Sequence, residues 1–172
     1  MRRVAVCLVL FLASVACGGG SSPSAPTAVS TPRPTRSEVA VTFSPVSPVA
    51  TPNTTSTSDT WPWRVDYTIV LKESNGLGGN VNYVNTSFTN TFGFSTRTDL
   101  NYGADRIIAA AGTNHLTGGG ELRIPLSMVY SADGFGGRAM TLKVAINFTD
   151  DLGSVTSLGG QANVVSVDQI RF

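Results

Sequence analysis

The run WRVDYTIVLK, Trp63 to Lys72, decides how this chain is read. Trp63, Val65, Tyr67, Ile69 and Leu71 fall on one parity, and Arg64, Asp66, Thr68, Val70 and Lys72 on the other. Side chains of a strand alternate between two faces, so this spacing predicts a strand with one buried and one mostly wet face. The same pattern returns in Met140, Leu142, Val144, Ile146 and Phe148, set against Thr141, Lys143, Ala145, Asn147 and Thr149. Leu122, Ile124, Leu126, Met128 and Tyr130 form a third row. Pro125 sits on its opposite parity and predicts an edge strand or a bulge, because proline cannot donate to a ladder.

Weaker runs lie around these three. Val39, Val41 and Phe43 alternate with Ala40 and Thr42 before Pro45 and Pro48 interrupt. Val81 to Phe88 carries apolar groups on both parities, Arg106 to Ala111 reads equally as a short strand or a helical turn, and Ser154 to Val167 closes the pattern. Fifteen of the 18 glycines fall between Gly76 and Gly160, and the stretches SNGLGG, TGGGE, ADGFGG and TDDLGS each sit between two such runs. Glycine and Asp-Gly supply the positive φ that hairpin turns demand. No helical period of ten residues or more is present. The expectation is an all-β domain over residues 38–172, an antiparallel β-sandwich of about seven strands.

The chain before it has a different character. Met1-Arg2-Arg3 is basic, Val4 to Ala16 is apolar apart from Ser14, and small residues lead to Cys17. Thirteen helical residues span about 20 Å against a hydrocarbon core of about 30 Å, so this segment is too short to cross a membrane. It reads as an export signal, residues 1–16, removed before Cys17. Cys7 leaves with it, and a lone remaining cysteine can close neither an intramolecular disulfide nor a thiolate metal site. Seven of the nine prolines lie between Pro23 and Pro52, and GGGSSPSAPTAVSTPRPTRS, residues 18–37, lacks the large hydrophobics needed for a core. Residues 17–37 therefore read as a disordered tether, of roughly 25 Å as a coil and up to about 60 Å as polyproline II.

Ala13-Ser14-Val15-Ala16-Cys17 resembles the lipobox of bacterial lipoproteins, with Ser14 where that motif usually has leucine. The resemblance implies acylation of Cys17, a membrane anchor through that residue, and a bacterial cell envelope location on the periplasmic or cell-surface side. One acyl chain binds a membrane marginally and two or three bind it firmly. The segment Trp63 to Val164, through VDYTIVLKESNGLGGNVNYV and AMTLKVAINFTDDLGSV, is also similar to immunoglobulin-like or fibronectin-type-III-like domains of envelope lipoproteins. That likeness implies a spacer or binder rather than a catalyst. No Cys…Trp…Cys framework accompanies it.

Charge excludes more than it suggests. Without Arg2 and Arg3, ten Lys+Arg face eleven Asp+Glu, and the chain's only lysines are Lys72 and Lys143. No basic cluster exists of the kind a nucleic acid requires. His115, in GTNHLTGGG, is the only histidine. A hydrolase would have to use it with Asp105 and a serine, yet no nucleophile-elbow pattern marks one. One histidine among so few soft ligands closes no zinc or copper site. Asp150 and Asp151, with Asp133 and Glu73 at other turns, are weak calcium candidates, without an EF-hand loop or Gly-Asp repeat.

For binding, Trp61 before Pro62 is the candidate for stacking on a sugar ring, whereas the parity of Trp63 assigns it to the core. Tyr102, Phe92, Phe94 and Phe135 fall in expected loops, where they plug the ends of the sandwich or mark a contact patch. The reading is a non-enzymatic, lipid-anchored structural or protein-interaction module. Its partner is an envelope protein or polysaccharide, and no cofactor is called for. Binding of carbohydrate or cell-wall polymer is the alternative, and hydrolysis through His115 the remote one.

Overall fold

The computed structural model describes residues 32–54, 62–90, 95–131 and 140–166. The chain divides into two units, Met1–Pro32 and Arg33–Phe172, and every described strand and helix belongs to the second. The elements in order are β1 (Val39–Ser44), β2 (Val49–Pro52), β3 (Trp63–Glu73), β4 (Gly79–Asn90), β5 (Ser95–Gly103), α1 (Ala104–Ala111), β6 (His115–Leu116), β7 (Glu121–Tyr130), β8 (Met140–Asp150) and β9 (Val155–Ser166). The domain is dominated by β-strands, with one short helix among the described residues.

The three alternating rows become β3, β7 and β8. In β8 every second residue from Met140 to Phe148 is at most 5% exposed, while Lys143 and Ala145 face outward. β3 lies between β7 on one side and β1 and β2 on the other. β7 has only β3 as a ladder partner among the described residues, and Pro125 sits opposite Thr68 with its missing N–H turned to no strand. A second ladder runs β5–β4–β8–β9, with β6 on the β5 side of β4.

Both ladders contribute to one core. Val65, Tyr67, Ile69 and Leu71 of β3 join Ile124 and Met128 of β7, Val84 and Phe88 of β4, and the inward row of β8. Phe88 and Tyr130 stack with ring centroids 5.0 Å apart, linking the two ladders. Trp63 packs against this cluster from its edge.

The arrangement is mixed rather than purely antiparallel, and it has nine strands among the described residues rather than about seven. The first ten residues of β9 pair with β8, and the strand then outruns Met140. Its unsatisfied end, Val165 and Ser166, pairs in parallel with Val49 and Ala50 of β2, and Val165 N donates to Pro48 O at 3.0 Å. Proline removes a donor and keeps its acceptor, so the segment between Pro48 and Pro52 still makes a short strand. Tyr102 likewise belongs to β5 rather than to a loop. It packs on the core, and its hydroxyl donates to Ser127 O at 3.3 Å.

The alanine-rich run is a helix. Asp105 sits in its first turn, where a carboxylate complements the helix dipole. Gly112 ends it at φ 81°, with its N–H donating to Ile108 O at 2.8 Å, a left-handed cap that suits glycine. Ile107 is the helix's buried anchor.

Candidate functional site

Three turns converge at one end of the domain: 74–78 between β3 and β4, 117–120 between β6 and β7, and 151–154 between β8 and β9. Asp151 N donates to Gly78 O at 2.9 Å. A Cβ on Gly78 would lie 2.9 Å from Asp151 Oδ2 and 3.0 Å from Gly118 N, so the close approach of the turns requires glycine there. Residues just before β1 join them. Asn75 Nδ2 donates to Arg36 O at 2.8 Å, and the Ser37 hydroxyl donates to Leu77 O and to Gly78 O.

Glu73 ties this end together. Its Oε1 accepts N–H bonds from Glu38 at 3.1 Å and Asn75 at 2.8 Å, and its Oε2 from Gly76 at 2.7 Å and Gly119 at 2.6 Å. The side chain is 1% exposed, sealed beneath turn backbone. Burial works against its charge, yet the four backbone donors outweigh burial and hold the carboxyl down at about 2. A carboxylate engaged by four N–H groups from three segments is a fastener of loops.

The neighbouring acids point in different directions. Asp150 is buried, and its Oδ1 accepts N–H bonds from Leu152 at 3.0 Å and Ser154 at 2.8 Å, bracing the β8–β9 turn. Asp151 is exposed and meets His115, with Nε2 to Oδ1 at 3.2 Å. The partner of His115 is thus Asp151, where the sequence suggested Asp105. The backbone N–H of His115 donates to Thr113 Oγ1 at 3.0 Å, and no serine hydroxyl meets the ring among the described residues. No three His, Cys, Asp or Glu side chains group to hold a metal among the described residues. Cys17, Trp61, Phe92, Phe94, Asp133 and Phe135 lie outside the described residues.

A second feature is the outward face of β4, β8 and β9, which sequence reasoning did not single out. Strand register sets Tyr83, Asn147 and Ser157 in one row, then Asn85, Ala145 and Gly159, then Ser87, Lys143 and Gln161, then Thr89, Thr141 and Asn163. A bulge between Val81 and Tyr83 turns Asn82 and Tyr83 outward together. Asn82 Nδ2 donates to Asn147 Oδ1 at 2.6 Å and to Thr149 Oγ1 at 2.8 Å, and Tyr83 stays 38% exposed. The parity of Thr141, Asn147 and Thr149 was visible in sequence, but their assembly into rows with β4 and β9 needs the register.

The outward face of β3 and β7 differs. There charges are paired locally, Arg64 with Asp66 at 2.9 Å and Arg123 with Glu121 at 2.8 Å. Hydrogen bonds from Arg64 hold the Asp66 carboxyl below its usual range.

No protein-family model matches the chain, and no curated protein matches it. Solved structures do resemble the domain. A Bordetella pertussis protein bearing the ApaA designation superposes with a TM-score of 0.54 at 9% identity, covering 76% of this chain and 95% of its own. Structural-genomics target SoR45 gives a TM-score of 0.51 at 9% identity, covering 80% of this chain and 90% of its own. At such identities the likeness concerns the fold alone.

Proposed function

We propose that this chain is a non-enzymatic envelope module in which acylated Cys17 tethers an immunoglobulin-like domain that works by contact. The observation that carries the non-catalytic part is the engagement of Glu73 by four backbone N–H groups, with Asp150 similarly engaged by two. Acids bound to backbone in this way brace loops, whereas a catalytic acid or base must keep an oxygen free for substrate.

The immunoglobulin-like reading draws its support from strand order. Such a fold gathers its A, B and E strands in one sheet and its C′, C, F and G strands in the other. Reading β1, β3 and β7 as A, B and E, and β5, β4, β8 and β9 as C′, C, F and G, reproduces that division. The short β6 departs from it, pairing with β4 instead of extending the first sheet. The anchor rests on Ala13 to Cys17 and their resemblance to a lipobox.

Membrane fractionation tests the anchor. The wild-type protein is expected in the membrane fraction and Cys17→Ala in the aqueous fraction. Equal partition of the two would refute the tether.

A further inference from the structure

We propose that the outward face of β4, β8 and β9 binds an acidic glycan, a polysaccharide whose sugars carry carboxylates. This goes beyond the proposed function by naming a ligand class and a surface, and it does not depend on the anchor. Protein surfaces ordinarily mix charges of both signs. This face instead offers amides and hydroxyls, with Lys143 its one charged side chain among the described residues.

The face is also grooved. Rows two residues apart along a strand lie about 6.7 Å apart. The row Asn85, Ala145, Gly159 carries two of the smallest side chains, so it forms a floor between the rows of Tyr83 and Lys143. A depression of about 380 Å³ lies on the β4–β8 side of that floor, lined by Asn85, Thr86, Ser87, Lys143, Val144 and Ala145, a volume within the range of small-ligand sites. One wall is pre-ordered by the Asn82, Asn147 and Thr149 hydrogen bonds, which fix amide orientation before a ligand arrives. Exposed Tyr83 stands at the end of that wall, beside Gly103, where a Cβ would meet nothing within 4 Å.

Charge selects the occupant. A nucleic acid needs several cations along its phosphates, and this face has one among the described residues. A protein partner needs an apolar centre of anchor residues, and Tyr83 and Val155, set towards one end of the face, do not make one. Sugar hydroxyls suit rows of Asn, Gln, Ser and Thr, which both donate and accept. The Lys143 ammonium, which faces no carboxylate of this surface among the described residues, fits a sugar acid.

Affinity electrophoresis of the full-length chain in non-ionic detergent tests this, with polygalacturonate or neutral dextran cast in the gel. Retardation is expected with polygalacturonate and not with dextran, and it should weaken with added salt. Lys143→Ala should weaken it roughly fivefold or more and Lys143→Arg should preserve it. Ala145→Gln should abolish it by filling the depression, since Ala145 lines it and is exposed on the outward face, where the fold tolerates a longer side chain. No retardation by polygalacturonate would overturn the proposal, as would equal retardation by dextran. Retardation unchanged in both Lys143→Ala and Ala145→Gln would overturn it too. Because the polymer is supplied in the gel, this result stands apart from that of the Cys17→Ala fractionation.

Discussion

Replacing Glu73 by Gln should cost this domain much of its stability at neutral pH and little in strong acid. In the folded chain the carboxyl titrates at about 2, against 4.5 in the unfolded chain. Its folded pKa is depressed, so the contribution is fully present above pH 4.5 and is lost as pH falls from there towards 2. A depression of that size corresponds to about 3 kcal/mol. Glutamine keeps one acceptor oxygen for four donors and turns an NH₂ towards the N–H groups of the other pair, so the substitution removes about that amount or more. Urea unfolding followed by tryptophan fluorescence should show a gap of about 3 kcal/mol between wild type and Glu73→Gln at pH 7. The gap should shrink steadily below pH 4.5 and nearly close at pH 2. A gap below about 1 kcal/mol at pH 7, or one that is unchanged at pH 2, would refute the reasoning.

Two further outcomes rest on the core and the turns. Tyr67 Oη and Thr86 Oγ1 are buried without hydrogen-bond partners among the described residues. Burial pushes the Tyr67 phenol far above its usual range, and the nearby Thr86 hydroxyl opposes this without reaching hydrogen-bond geometry. Thr86→Val should therefore raise the urea midpoint, by up to about 1 kcal/mol, because it removes a buried unsatisfied hydroxyl at constant shape. Gly79→Ala should cost about 2 kcal/mol or more in the same assay, since its Cβ would strike Thr149 O, the Phe148 ring and Asp150 Cα. Gly103→Ala, with open space around it, should stay within about 0.5 kcal/mol.

The sequence was most legible where one face is buried and the other wet. β3, β7 and β8 announce themselves by strict alternation because the core accepts only their inward parity. β5 gave no such signal, since STRTDLNYG is polar on both parities and depends on its pairing with β4. β2 was hidden by Pro48 and Pro52, and its parallel contact with β9 reflects how far β9 outruns β8, which no local pattern encodes. The turns around Asp150 were legible, because aspartate braces its own backbone. The role of Glu73 was not, since its partners are main-chain groups of residues 38, 75, 76 and 119, which carry no side-chain signature. The outward face of β4, β8 and β9 fell between these cases. Parity placed the outward residues of β8 but not those of β4, whose run is apolar on both parities, and the surface exists only once the strands are in register.

The claim that the acids of the glycine-rich end hold loops rather than ligands is tested most directly by a carbon-13 titration of the side-chain carboxyls. Performed from pH 7 to 1.5, with and without millimolar calcium, it should find the Glu73 carboxyl titrating at about 2 and unmoved by calcium. A Glu73 carboxyl that titrates near 4, or shifts when calcium is added, would contradict the account.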